Sequence, residues 1–238
     1  MIKILLTLLA AGKLGKVLVS GGTMLLSLGV YALVYGWKYA AGFIAMLALH
    51  EGGHYVEARR RGLAVSLPTF IPFVGAWIQL KDAHMSPQVE AAVAFAGPLA
   101  GTVAAFAAYA LGSALDAPWL LAVAYAGFFL NLINLIPVVP LDGGRITALV
   151  SPKMWWVGVP VLAALMLWKP SPVFLIVALF AAPQIWRSIR QPADLSDVPM
   201  RQRAEAALLY LGLVVVLGIM TWEVHEELSA LRAVAAPR

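Results

Sequence analysis

Apolar residues occur in seven runs along this chain, separated by short polar or proline-containing segments. Each run is long enough to cross, or nearly cross, the roughly 30 Å hydrocarbon core of a bilayer as a helix. The fifth and sixth runs are the shortest and could form one hairpin that does not fully span, so the alternatives are seven spans or six. The pattern predicts an all-α polytopic membrane protein with spans near residues 17–37, 39–58, 89–111, 118–137, 154–168, 172–186 and 204–222.

The stretch from 63 to 87 is neither a clean span nor an ordinary polar loop. Pro68, Pro72 and Gly75 stand among β-favouring residues, a composition typical of extended or re-entrant chain. An edge strand here could pair with a peptide. The alternative is an interfacial loop with aromatic anchors. His84, at the polar end of this stretch, is a weak candidate metal ligand.

Composition supports the membrane assignment. The chain is 62% hydrophobic and 12% charged, whereas a soluble domain is about half apolar and a quarter charged. The absence of cysteine excludes disulfides and thiolate metal sites, which leaves His, Asp and Glu as ligands. The net charge of +5 does not indicate a nucleic-acid partner, because no stretch interleaves basic and aromatic residues on a soluble domain.

The basic residues are better explained by topology, since Lys and Arg are retained on the cytoplasmic side of spans. With seven spans and a cytoplasmic N-terminus, 13 of the 17 basic residues lie inside; the other four are Lys38, Lys169, Arg232 and Arg238. We therefore expect an interfacial N-terminal segment over 1–16 and a core over 17–190. A cytoplasmic linker over 191–203 and a further transmembrane helix with its tail over 204–238 would follow.

The second span contains the pentad from His50 to His54, which has the pattern HExxH. On an α-helix, His50 and His54 lie about 40° apart on one face and one turn apart, so both imidazoles can reach one cation. Glu51 could take a proton from a water molecule and return it to a leaving amine. Gly52 and Gly53 weaken the helix but could leave room for a substrate backbone.

A second polar cluster lies where the fourth span ends. Pro137 and Pro140 interrupt the helix, and Asp142 follows on a predicted Gly-Gly turn, where it is the best candidate for a third ligand. Asn134, and less strongly Asn131, could donate hydrogen bonds to a substrate carbonyl or a developing oxyanion. The alternative for either amide is an interhelical hydrogen bond in lipid.

The third span has a small-residue face at Gly97 and Gly101, on either side of Pro98. Such a face lets helices approach closely, so we expect it to pack against the helix that contains the pentad. Glu90, at the start of this span, is expected to be an interfacial or capping carboxylate.

Together these motifs resemble the site-2 protease family of intramembrane zinc metalloproteases. The pentad matches the first family motif. The residues from Asn134 to Pro137 and from Leu141 to Gly143 resemble its N-x-x-P and L-D-G motif, and the Gly97 to Gly101 element resembles a third. The resemblance covers residues 39–190. It suggests a compact form, without the PDZ insertion or CBS module of some relatives.

The resemblance implies one Zn²⁺ per chain, held by His50, His54 and Asp142, with Glu51 as the base. It also implies hydrolysis of peptide bonds within or next to transmembrane segments of membrane proteins, as in regulated intramembrane proteolysis. The expected partners are a transmembrane protein substrate and the lipid bilayer. The expected location is the cell membrane, with the N-terminus and the active site toward the cytoplasm. Asn134 is a candidate catalytic group, and the expected substrate contacts are Asn134, Pro137, Pro140 and Gly75.

Two other functions fit parts of the pattern. A proteolytically inactive membrane scaffold would keep the spans and the motifs. A metal-ion transporter would use the same residue types, but would usually place polar groups along several spans to mark a path. The sequence makes no prediction of oligomeric state, of the substrate or of a regulatory trigger.

Overall fold

The computed structural model describes residues 2–73, 75–77, 85–191 and 194–235. Within these ranges the chain forms eight helices and one two-stranded sheet, which confirms the predicted all-α membrane protein with a short β-like segment. In chain order the elements are α1 (Ile2–Tyr35), α2 (Trp37–Arg60), β1 (Thr69–Ile71), β2 (Gly75–Trp77), α3 (Pro87–Ala114), α4 (Pro118–Asn134), α5 (Asp142–Val150), α6 (Trp155–Trp168), α7 (Pro172–Arg190) and α8 (Met200–Ala235).

The helix ends follow from local residue chemistry. Gly36, with φ of 86°, separates α1 from α2, and Gly62, with φ of 75°, follows the end of α2. These left-handed conformations favour glycine because it has no Cβ. Ser86 caps α3 by accepting a hydrogen bond from the Val89 N–H. Pro118 begins α4, at a position where its missing N–H is not needed.

Helices α2, α3 and α4 pack on one another and form the centre of the fold. Helix α1 packs on α2, α5 packs on α3, and α8 packs on α4 and α5. Phe128 of α4, Leu135, and Leu217 of α8 are fully or almost fully buried in the main hydrophobic cluster. The pair α6 and α7 packs on the segment after α4, where Val138 and Ala181 share a smaller cluster.

Three of the described helices contain a stretch long and apolar enough to cross a membrane: Gly15–Tyr35, Pro87–Ala114 and Met200–Val234. Pro118–Asn134 and Trp155–Trp168 are shorter apolar helices. A helix forms at each of the seven predicted runs, while the count of six or seven spans stays a prediction. Large apolar side chains such as Leu33, Leu167 and Leu208 are exposed, as expected of surface that faces lipid.

The strands β1 and β2 form an antiparallel hairpin that lies along α1. Three side chains of α1 form hydrogen bonds with the hairpin and the residue before it. Ser20 donates to Pro68 O at 2.5 Å. Thr23 accepts from the Phe70 N–H, and Tyr31 accepts from the Phe73 N–H. The extended alternative for this stretch is therefore confirmed within the described residues. Residues 78–84, with His84, lie outside them.

One expectation about local structure is corrected. Asp142 does not sit on a Gly-Gly turn, because Asp142, Gly143 and Gly144 form the first turn of α5. The predicted boundary between residues 16 and 17 is not marked by a break, since α1 is continuous from Ile2 to Tyr35. Whether residues 1–16 lie at the interface stays a prediction.

Candidate metal centre

Two histidines of α2 and one aspartate of α5 converge in the interior. His50 Nε2 and His54 Nε2 lie 3.2 Å apart, and Asp142 Oδ2 lies 3.2 Å from the first and 3.3 Å from the second. All three residues are at most 9% exposed. Within the described ranges, this is the group of His, Cys, Asp and Glu residues whose ligand atoms could hold one metal ion.

The triangle formed by these three atoms fits a zinc ion. Tetrahedral ligands at the usual zinc bond lengths of about 2.0–2.2 Å are separated from one another by about 3.3–3.6 Å. The observed separations of 3.2–3.3 Å lie at or within about 0.1 Å of the lower limit of that range. Two imidazole nitrogens and one carboxylate oxygen are a ligand set that zinc accepts, and three protein ligands leave a fourth position open.

Each imidazole is also held on its other side. His50 Nδ1 lies 2.8 Å from Asn131 Oδ1 on α4, and His54 Nδ1 lies 2.8 Å from the backbone oxygen of Val93 on α3. The two rings are therefore oriented by two different helices.

Glycines make the close approach of these helices possible. A Cβ added at Gly97 would overlap the His54 ring, and one added at Gly101 would overlap the Asn131 amide. A Cβ at Gly53 would overlap the backbone oxygen of Ala96. The small-residue face of α3 therefore packs against α2 and also leaves space for the His54 ring and for the Asn131 amide, which contacts His50.

The two glycines of the pentad differ. Among the described residues, no atom lies within 4 Å of a Cβ added at Gly52, whereas Gly53 is packed against α3. The room that the sequence predicted beside the pentad is thus present at Gly52 and absent at Gly53.

Helix α8 contacts both ends of the segment from Leu135 to Val150, which contains Asp142 and is called the aspartate arm below. Tyr210 OH donates to Leu135 O at 2.6 Å, just before the loop that leads to α5. Arg203 donates to Val150 O at 2.8 and 3.1 Å, at the end of α5. Within that arm, Gly143 packs so closely on the Leu135 and Ile136 carbonyls that any side chain would overlap them. The sequence pattern predicted a further transmembrane helix here, and no motif in it indicated these contacts.

Glu51 stands next to the first ligand and is 6% exposed, but it does not belong to the three-atom group. That placement suits a base better than a ligand. Asn134 is half-buried and donates to Leu130 O, one turn back on α4. Its predicted contact with a substrate stays a prediction.

The three other predicted substrate contacts differ in exposure. Pro137 is buried, Pro140 is exposed, and Gly75 is half-buried at the start of β2 with φ of 124°. Glu90 lies in the first turn of α3, 4.0 Å from Arg145, which agrees with an interfacial carboxylate.

Comparison with known proteins agrees with this geometry. A family model, Peptidase family M50, matches residues 38–117, which include the pentad and the glycines of α3. Two curated proteins of Mycobacterium tuberculosis, from strains ATCC 35801 / TMC 107 / Erdman and ATCC 25618 / H37Rv, are both named "Putative zinc metalloprotease Rip3". Each is 34% identical to the chain over 143 residues. Over residues 38–117 the chain is similar to peptidase family M50. The resemblance drawn from the sequence motifs is thereby confirmed.

The alignment with these relatives covers 54% of this chain and 35% of each relative. The chain thus spans about a third of the length of the curated relatives it matches. Asp142 lies beyond the segment that the M50 family model matches, so its place in the metal group rests on the structure.

Proposed function

We propose that this chain is an intramembrane zinc metalloendopeptidase, which hydrolyses peptide bonds within or next to transmembrane segments of membrane proteins. One observation carries the proposal: three ligand atoms converge at 3.2–3.3 Å in the interior of a membrane protein whose residues 38–117 match the model of peptidase family M50. Buried ionisable groups in a membrane protein are costly and usually mark a functional site.

His50, His54 and Asp142 would hold the zinc ion. When bound, zinc acts as a Lewis acid on a carbonyl and lowers the pKa of water. Glu51 would take a proton from the water molecule whose oxygen bonds to the scissile carbonyl carbon. The same carboxylic acid would then give that proton to the leaving nitrogen as the C–N bond breaks. The products are a carboxylic acid and an amine, and the acid then ionises by releasing its proton to the amine or to solvent.

Asn134 would donate a hydrogen bond to the substrate carbonyl. Its amide lies in the last turn of α4, before the segment that leads to Asp142, and it is only half-buried. A donor at this position could approach a substrate by exchanging its present bond to Leu130 O. Pro137 and Pro140, between Asn134 and Asp142, would contact the substrate on the same side as Asn134.

The β hairpin would receive the unwound substrate, and its geometry identifies the available edge. Phe70 pairs with Ala76, and the Phe70 N–H is bonded to Thr23 of α1. Because opposed residues of an antiparallel pair direct their backbone groups alike, the N–H and C=O of Ala76 point away from β1. An extended peptide could therefore add to β2, next to Gly75.

The proposed orientation places the N-terminus and the metal group toward the cytoplasm, in the cell membrane. Arg59, Arg60 and Arg61 lie exposed at the end of α2, where cations suit both the helix C-terminus and lipid phosphates. At about 1.5 Å per residue, His50 is roughly 15 Å above that end, within the hydrocarbon.

The test uses the full chain, purified and reconstituted in liposomes with a panel of single-span reporter proteins. We expect about one zinc per chain and cleavage of at least one reporter in or beside its span. Glu51→Gln should lower cleavage by about 10²–10⁴-fold while zinc content is unchanged. Zinc binding without cleavage of any reporter would favour the inactive scaffold, and zinc transport into the vesicles would favour the transporter. Retained cleavage by Glu51→Gln would contradict the role of Glu51.

A further inference from the structure

Asn131 is a fully buried amide in the last turn of the apolar helix α4, and both its nitrogen and its oxygen have a partner. It is 0% exposed, its Nδ2 donates to Gly127 O at 2.7 Å, and its Oδ1 lies 2.8 Å from His50 Nδ1. The donor to Gly127 fixes which end of the amide faces the ring. Because the oxygen faces His50, the imidazole must present an N–H at Nδ1.

We infer that Asn131 is a positioning residue of the metal centre, which fixes the tautomer and the ring orientation of His50 so that the Nε2 lone pair faces the ion. This inference rests on the zinc site of the proposed function. A neutral imidazole with its hydrogen on Nδ1 leaves Nε2 as the atom that can bind metal. Partners of this kind, one contact beyond the ligands, orient a ligand and raise its basicity.

The same logic applies to His54, whose Nδ1 faces the Val93 carbonyl. Both Nε2 atoms are then acceptors, and both face Asp142 Oδ2, which is also an acceptor. Three acceptors within 3.3 Å of one another, with no hydrogen between them, repel unless a cation lies among them. The contacts on the far side of each ring thus set up the group for a metal rather than for direct hydrogen bonds.

Helix α3 supplies the space for this arrangement. A Cβ at Gly101 would overlap the Asn131 amide, so a side chain there would displace the amide from His50. Asn134 is the same residue type one turn later on α4, but its side-chain amide donates to Leu130 O and not to a histidine. The asparagine of the N-x-x-P motif, Asn134, is therefore not the amide that contacts His50; Asn131 is.

The experiment measures the zinc dissociation constant of the purified full chain by competition with a chromophoric chelator. Asn131→Leu removes the acceptor at similar size and should weaken zinc binding by about 10–100-fold. Asn131→Asp keeps an oxygen facing His50 Nδ1, so it should retain most of the affinity. Gly101→Ala should reproduce the loss, because the added methyl group displaces the amide.

Two controls separate positioning from general packing. Asn134→Leu removes the neighbouring amide, and Gly112→Ala crowds Leu121 at the far end of the contact between α3 and α4. Both should leave the zinc affinity unchanged. The visible spectrum of the Co²⁺-loaded protein gives a second readout, which should change for Asn131→Leu and not for Asn131→Asp.

A purely structural role would lower the melting temperature of the metal-free protein in Asn131→Leu and leave the zinc affinity of the folded protein unaltered. That result would overturn the inference. If Asn131→Leu does not fold, Gly101→Ala decides: unchanged zinc affinity overturns the inference, and weakened affinity supports it. Failure of the unmodified chain to bind zinc at all would instead overturn the proposed function.

Discussion

The Asp142 carboxylate oxygen lies 3.2 Å from His50 Nε2, although α3 and α4 come between their two helices, α2 and α5, in the chain. Asp142→Asn removes the negative charge but keeps the size of the side chain. We expect zinc affinity to fall by at least about a hundredfold, since even partners beyond the ligands contribute 10–100-fold. Measurement is by metal content after dialysis against a weak chelator.

Asp197→Asn is the matched control, because Asp197 is exposed between α7 and α8. Its zinc content should equal that of the unmodified chain. Full zinc content and full cleavage in Asp142→Asn would remove Asp142 from the ligand set.

The adjacent glycines of the pentad should respond in opposite directions. Gly52→Ala adds a methyl group in open space and should stabilise α2 by up to about 1 kcal/mol through helix propensity. Gly53→Ala forces a methyl group against the Ala96 carbonyl and should destabilise by about 1–3 kcal/mol. Melting temperatures of both variants in one detergent give the comparison, and an equal response would contradict the close approach of α2 and α3.

Tyr210→Phe tests the contact between the last helix and the aspartate arm. Loss of the hydroxyl leaves the Leu135 carbonyl without this donor, which should cost about 1–3 kcal/mol. We also expect weaker zinc binding, because the loop that leads to Asp142 loses one anchor. Tyr109→Phe, a half-buried tyrosine of α3, serves as the comparison. Identical melting and zinc affinity in the two variants would mean that the Tyr210 bond contributes nothing.

Ala76→Pro tests the free edge of the hairpin. Proline removes the N–H that points away from β1, so kcat/KM for single-span reporters should fall while zinc content stays constant. Ala76→Val keeps the N–H and should retain cleavage. If both variants cleave alike, substrate does not pair with β2 through this group.

Much of the site could be predicted from sequence because its chemistry is encoded at fixed spacing. His50 and His54 share a helix face at any four-residue step, and Asp142 is the acid that follows the proline-interrupted helix. The convergence of Asp142 with both histidines was implied by the family resemblance, because spacing along the chain does not bring α5 next to α2. The structure adds the distances, and with them the fit to a tetrahedral ion.

The misses have physical reasons. Asn131 and Asn134 lie about 60° apart around α4, and sequence cannot tell which one faces His50. Gly143 and Gly144 have the composition of a turn, yet they are helical because only glycine fits against the backbone of the preceding loop. The contacts of α8 join residues about 50 to 75 positions apart, and no local pattern records them.

The bonds from Tyr210 and Arg203 bear on the order in which this protein matures during synthesis. The ribosome delivers His50, His54 and Asp142 well before it delivers α8, which anchors the aspartate arm at Leu135 and at Val150. A nascent chain that has not yet gained α8 therefore carries all three candidate ligands but lacks both anchors. We expect the anchored metal group to form only after α8 has been synthesised.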